Sequence, residues 1–132
     1  MNKEIFVKVP GDHEFMKICR SVATAAAAVA GFDIEATDDI GLAVFEGTKV
    51  LVCHRHDKLP ESYNMTINIT DEKFVVKLSV NTEFVQEKHR TICLDCPCEG
   101  EIGREVANSL MDETRLEEGT EEGDIFILTK YL

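Results

Sequence analysis

Two classes of protein are excluded by what the sequence lacks. It has no apolar run that could cross a membrane, since a spanning helix needs about 20 consecutive apolar residues. Cationic side chains are scarce: 14 lysines and arginines stand against 25 acidic residues, which leaves a net charge of −11. A field of that sign repels the phosphate backbone of nucleic acids. We therefore expect no membrane insertion and no direct nucleic-acid binding, and a basic protein suits the charge better as a partner.

Secretion signals and a disulfide framework are also missing. No secretory pattern follows the first residues, so we expect a cytoplasmic protein. The five cysteines are an odd number, and without a signal peptide they do not suggest paired disulfides. The 132 residues are 44% apolar and contain neither a repeat nor a linker, which predicts one domain over residues 1–132.

The central element is predicted to be a helix over residues 37–56. Thr37 or Asp38 is the expected N-cap, and acidic side chains fill the first turn. Residues recur at helical spacing in two adjacent stripes. One stripe holds Ile40, Val44, Gly47, Leu51 and His54, and the other holds Glu46, Val50 and Cys53.

The other elements follow from periodicity and turn residues. Strands are expected over 4–9, 63–70, 74–80, 114–117 and 124–131, helices over 13–30 and 101–113, and a loop over 81–99. Gly31 is the expected end of the first helix, and Cys19 is expected in the core. The order of elements predicts an α+β fold. We expect a two-layer sandwich with helices on one face of a mixed, mostly antiparallel sheet.

The central helix resembles a nucleotide-binding motif. The motif has a Glu, an Asn four residues later and an end that contains His; here Glu46 and His54 match, and Val50 stands at the Asn position. This motif is the first of those found in the GHKL ATPase superfamily, and the stretch is most similar to its anti-sigma-factor serine-kinase branch.

Two later stretches extend the resemblance over essentially the whole chain. Glu99–Glu113 is similar to the glycine motif of the family and its following helix, and it keeps Gly100 and Gly103. The ending Thr129–Leu132 resembles the family's final strand. The order of elements is also that of the GHKL, or Bergerat-type, ATPase fold.

The resemblance implies ATP and Mg²⁺ as cofactors and assigns roles to five positions. Glu46 stands where the family has a general base for γ-phosphoryl transfer. Val50 replaces the Asn that holds Mg²⁺, and a hydrocarbon cannot coordinate an ion that prefers six oxygen ligands. Asn81 stands where an Asp reads the adenine amino group. Gly100 and Gly103 would place backbone N–H groups around phosphate.

Further departures weaken the nucleotide site. Glu83 replaces a glycine near the adenine position, and Glu101 replaces a small residue near the phosphates, so both add negative charge. Glu46 has a second interpretation as a solvated helix carboxylate, and His54 as a residue that packs or caps the helix end. The sequence therefore predicts weak or lost ATP binding.

A cysteine cluster in the expected lid loop is this chain's own feature. Cys93, Cys96 and Cys98 have spacing typical of zinc ligands, and an iron–sulfur cluster needs similar thiolates. A redox pair of Cys93 with Cys96, or three plain reduced thiols, are the other interpretations. A fourth metal ligand could come from Cys53, His54, His56 or His89.

These features give a functional hypothesis with two alternatives. The resemblance implies an anti-sigma-factor-type regulatory protein that binds a sigma factor or a STAS-domain antagonist. Relatives often dimerise, so the resemblance also implies a homodimer. The first alternative is an active ATP-dependent serine/threonine kinase, and the second is a metal- or thiol-dependent sensor on the same fold.

Overall fold

The computed structural model describes residues 2–52, 61–80, 99–120 and 123–132. A 3₁₀ turn, His13–Phe15, precedes the first helix. The helices are α1 Met16–Ala30, α2 Ile34–Val52 and α3 Glu99–Leu110. The strands are β1 Lys3–Pro10, β2 Ser62–Ile69, β3 Lys73–Val80, β4 Glu113–Thr120 and β5 Gly123–Tyr131.

The strands form one sheet in the order β1-β2-β3-β5-β4. All four pairings are antiparallel. The predicted α+β class is confirmed, whereas the expected mixed sheet is wrong for the described strands. β4 runs in the same direction as β3, but β5 lies between them, so no parallel pair forms.

The strands alternate between a buried face and an exposed face, as period-two sequences require. On β3 the inward side chains are Phe74, Val76, Leu78 and Val80, all at most 1% exposed. They join side chains of the helices in a single core. Core residues from the other elements include Met65 and Ile67 of β2, Phe126 and Leu128 of β5, and Cys19, Ala23, Ile40 and Val44 of the helices.

The helices cover the inner face of the sheet in chain order. α1 contacts β1, β2 and β3; α2 contacts β3 and β5; α3 contacts β4. α2 lies between its two neighbours and packs on both. No described helix combines the length and the apolar character that crossing a membrane would require.

The start of α2 differs from the sequence prediction. The helix begins at Ile34, because the Asp33 carboxylate accepts the Ala36 N–H at 2.8 Å and the Asp33 carbonyl accepts the Thr37 N–H at 2.9 Å. Asp33 is therefore the N-cap, and the choice of Thr37 or Asp38 is wrong. Gly31 ends α1 as predicted, in the left-handed region at φ 104°.

The end of the chain fastens α3 to the sheet. The Lys130 ammonium donates to the Leu110 carbonyl at 2.7 Å, which satisfies an unpaired carbonyl in the last turn of α3. The Tyr131 N–H donates to the Asp112 carboxylate at 2.7 Å, and the Asp112 N–H donates to Thr129 O at 3.0 Å. The last strand therefore fixes where α3 ends.

Candidate functional site

The contact between α2 and α3 brings two predicted site residues together. A Cβ added at Gly103 would lie 2.8 Å from the Glu46 carbonyl oxygen and 3.2 Å from Glu46 Oε2. Only a glycine permits backbone to approach this closely. Glu46 and Gly103 are thus neighbours in the fold, although they lie far apart in the sequence. The resemblance places both in one site.

Glu46 is largely shielded from solvent at this contact. Its side chain is 15% exposed, and Oε1 lies 3.4 Å from the Lys49 ammonium, which is itself 27% exposed. A fully solvated helix carboxylate, the second interpretation of this residue, is not what the structure has. The carboxylate instead has one cation beside it and α3 against it.

Val50 lies in the core, one turn after Glu46 on α2. It is 2% exposed and belongs to the main apolar cluster. An aliphatic side chain at this depth offers no oxygen to a Mg²⁺ ion, which needs several of them at about 2.1 Å. Val50 therefore does not fit the Mg²⁺ ion that the resemblance implies at this position.

A cation–aromatic group that the sequence analysis did not single out lies beside Glu46. The Lys49 ammonium stands 4.9 Å from the centre of the Phe45 ring, and the Arg20 guanidinium of α1 stands 5.7 Å from it. The spacing of Phe45 and Lys49 on one helix could have suggested half of this group. Arg20 is on another helix, so its part depends on tertiary packing.

Cys19 of α1 and Tyr63 of β2 are two buried titratable residues. Cys19 is 0% exposed, and burial raises the pKa of its thiol to about 11. Burial also raises the pKa of the Tyr63 phenol, and Cys19 and Asp12 raise it further. The Tyr63 hydroxyl has no hydrogen-bond partner among the described residues. The prediction that Cys19 is a core residue is confirmed.

A groove of about 500 Å³ lies on the other face of the sheet, away from Glu46. Its floor is the outer face of β3, β5 and β4, with Val75 and Ile127 between cationic Lys73, Lys77 and Arg115. None of the residues that the sequence analysis placed in a site lines this groove.

The rest of the predicted site lies outside the described residues, or outside the described side chains. Gly100 is in the first turn of α3, where only the backbone is described. Among the described side chains, no three His, Cys, Asp or Glu gather as a metal site would require. The predicted site residues that lie outside the described ranges are Asn81, Glu83, Cys53, His54, His56, His89, Cys93, Cys96 and Cys98.

No protein-family model matches the chain, and no curated protein matches its sequence. The resemblance to the GHKL superfamily therefore stays a prediction that rests on the residues. The structure adds an α+β fold with a five-stranded antiparallel sheet, and it adds the contact between Glu46 and Gly103.

Proposed function

We propose that this chain is an anti-sigma-factor-type regulatory protein that acts by binding another protein and has weak or no ATP binding. The observation that carries the proposal is the contact of Glu46 with Gly103, which joins the first motif to the glycine motif. The resemblance leads us to expect these two positions close together, and the contact between Glu46 and Gly103 supports it. The GHKL type of fold is part of this proposal.

The loss of nucleotide binding is supported by what occupies the site. Val50 is a buried hydrocarbon where the metal ligand is expected. At Gly103, α3 packs against the backbone of Glu46 without room for a methyl group. The net charge of −11 adds a long-range repulsion toward ATP.

The partner is proposed by analogy to be a sigma factor or a STAS-domain antagonist, in the cytoplasm. A sigma factor carries basic surfaces for DNA, and an acidic chain would be attracted to them. Such attraction speeds encounter and weakens as salt screens it, so complex formation should be slower at high ionic strength.

Partner binding can be tested on the intact chain by interferometry. Immobilised chain is titrated with each sigma factor and each STAS-domain protein of the source organism, with and without about 1 mM Mg·ATP. We expect one of them to form a complex whose Kd is the same in both conditions. If none of the sigma factors and STAS-domain proteins binds, the partner assignment is contradicted. If the Kd of a complex depends strongly on Mg·ATP, the loss of the nucleotide site is contradicted.

The kinase alternative is favoured by the same Glu46–Gly103 contact, because a base and a phosphate-binding turn must be adjacent for transfer. It is distinguished by transfer of labelled γ-phosphate to the partner. An active kinase would lose that transfer in Glu46→Gln, which cannot accept a proton, and keep it in Glu105→Gln, an exposed control on α3. We expect no transfer by the unmodified chain.

A further inference from the structure

The outer face of the sheet carries a groove that the proposed function does not use. Along β5, Ile127 and Thr129 alternate with residues of the core and therefore face outward. The strand register places Lys77 of β3 and Arg115 of β4 on either side of Ile127. Long side chains of the two flanking strands thus form the walls of the groove, and shorter side chains of β5 form its floor.

The floor of the groove is mainly apolar. Val75 lies opposite Thr129 in the next row across the strands, and Val75 and Ile127 are both half-buried. Thr129 is only 7% exposed although it faces outward, because the longer side chains beside it shield it. A docked segment can therefore bury apolar surface here, which favours association.

The β4 wall of the groove makes polar contacts within the chain. Its Arg115 guanidinium lies 2.7 Å from the Glu117 carboxylate. Glu113, the acidic residue of this wall that lines the groove, accepts a hydrogen bond from the Tyr131 hydroxyl, and this bond raises the pKa of Tyr131. The β4 wall therefore presents both signs of charge, which largely offset each other.

The β3 wall is a row of unpaired cations. Lys73 and Lys77 are exposed and lie four residues apart, about 14 Å along the strand. Neither ammonium has an acidic partner among the residues that the structure describes. In a chain of net charge −11, these two groups mark a place where an external anion is attracted.

The shape of the groove favours a protein segment over a small molecule. It has a floor and two walls of mostly exposed side chains, whereas a small-molecule site encloses most of its ligand. All three described helices pack on the opposite face of the sheet. β3 and β4 lie about 9.6 Å apart on either side of β5, which is close to the 10–12 Å diameter of an α-helix. A helix therefore spans the groove from wall to wall.

We propose that this groove binds an acidic amphipathic helix of a partner protein, which lies along β5 with its apolar stripe on Val75 and Ile127. Carboxylates on one flank of the helix, two or three turns apart, pair with Lys73 and Lys77. The apolar stripe supplies affinity, and the flanking charges fix the orientation of the helix.

The net charge of the chain does not prevent this association. A charge of −11 repels an acidic helix at a distance, but salt screens that repulsion beyond about 8 Å at physiological ionic strength. At contact, the two nearby ammonium groups therefore outweigh the distant carboxylates. The groove lies on the face away from the contact between α2 and α3, so this inference does not rest on the proposed function.

A model peptide tests the groove on the intact chain. The probe is a capped peptide of about 18 residues with leucines along one helical stripe and glutamates on both flanks. Isothermal titration should give a saturable Kd of about 10–100 μM. The variant with both Lys73→Glu and Lys77→Glu should raise that Kd by about tenfold or more. Lys3→Glu with Lys8→Glu is the matched control: it changes the net charge equally at exposed sites on β1 and should leave the Kd within about twofold.

A charge-reversed peptide completes the test. With lysines in place of its glutamates, the peptide should bind K73E/K77E more tightly than K3E/K8E, although the two variants have the same net charge. No saturable binding of the glutamate peptide, or equal weakening by both double variants, overturns the proposal.

Two further results would assign the groove to another occupant and would also overturn the proposal. One is saturable binding of dodecanoate that K73E/K77E abolishes, without binding of the glutamate peptide, which would indicate a small amphipathic anion. The other is self-association of the chain in sedimentation that K73E/K77E abolishes and K3E/K8E does not, which would indicate a second copy.

Discussion

Gly103 is the residue at which α3 comes closest to α2. A methyl group there would meet the Glu46 carbonyl oxygen at 2.8 Å, and a helix backbone cannot rotate away as a side chain can. Alanine is favoured over glycine inside a helix by about 1 kcal/mol, but we expect the clash to outweigh that gain. Gly103→Ala should therefore lower the free energy of unfolding by about 1–3 kcal/mol net. Urea denaturation measures the change.

Gly41→Ala is the matched control for that substitution. A methyl group at Gly41 would also clash, but with the Thr24 hydroxyl, which is the end of a side chain that can turn. We expect G41A to be clearly less destabilising than G103A. Equal effects of the two substitutions would contradict the close backbone approach at Gly103.

Cys19 links stability to alkaline pH. Its thiol has an ordinary pKa of 9.0, and burial raises that pKa to about 11 in the folded chain. The stability that this group contributes is fully present below pH 9 and is lost as pH rises toward 11, because the unfolded chain releases the proton first. Tyr63 acts in the same direction at higher pH.

The free energy of unfolding should therefore fall as pH rises above 9, by at most about 1.4 kcal/mol per pH unit for one proton. Cys19→Ala removes the titrating thiol. The free energy of unfolding of this variant should therefore vary less with pH between pH 9 and 11, even though the variant is less stable overall. Two parallel curves over that range would show that Cys19 does not contribute.

Single residues illustrate what the sequence could and could not predict. The end of α1 at Gly31 was predictable, because a glycine that follows an apolar helical run commonly adopts the left-handed conformation that ends a helix. The contact of Glu46 with Gly103 was to be expected only from the resemblance, since no local pattern says that they touch. The contact of Arg20 with Phe45 depends on how α1 crosses α2, and periodicity does not contain that angle.

Elements were predicted better than their boundaries. All three helices and five strands appear in the expected order, because the spacing of apolar residues and the turn residues between them distinguish helix from strand. The start of α2 was misplaced because Asp33, Thr37 and Asp38 are all acceptable caps by residue type. The packing of Phe32, the residue before Asp33, favours Asp33 as the cap. The Phe32 ring lies edge-on to the Phe74 ring, with 5.7 Å between the ring centres, and this contact holds the chain just before the helix.

The cap of α2 can be tested by substitution. Asp33→Ala removes the acceptor of the Ala36 N–H and should lower the free energy of unfolding by about 1 kcal/mol. Asp38→Ala, an exposed acidic residue in the same helix, should cost clearly less. Thermal or urea unfolding measures both, and a larger effect of D38A would restore the original choice of cap.

At the scale of the whole molecule, class and order were accessible from the sequence, whereas the pairing of distant strands was not. Turn residues predict which neighbouring strands form hairpins. The position of β5 between β3 and β4 instead depends on residues far apart in the sequence, and it buries Phe126 and Leu128 against α2. The cysteine cluster and the lid loop lie outside the described residues, so their chemistry stays a prediction.

The proposed function has Val50, a side chain of the hydrocarbon core, at the position of the family's metal ligand. Val50→Asn puts the amide back, but at a position 2% exposed. An amide buried there without full hydrogen bonding should cost about 1–3 kcal/mol of stability. It should restore little affinity for Mg·ATP, because Glu83 and Glu101 keep their negative charge.

Isothermal titration of the unmodified chain with Mg·ATP tests that claim most directly. With no oxygen ligand at position 50, α3 seated on Glu46 and a net charge of −11, we expect a Kd of about 1 mM or weaker. A saturable isotherm with a micromolar Kd would contradict the account, because it would require a metal and phosphate site that these residues do not provide.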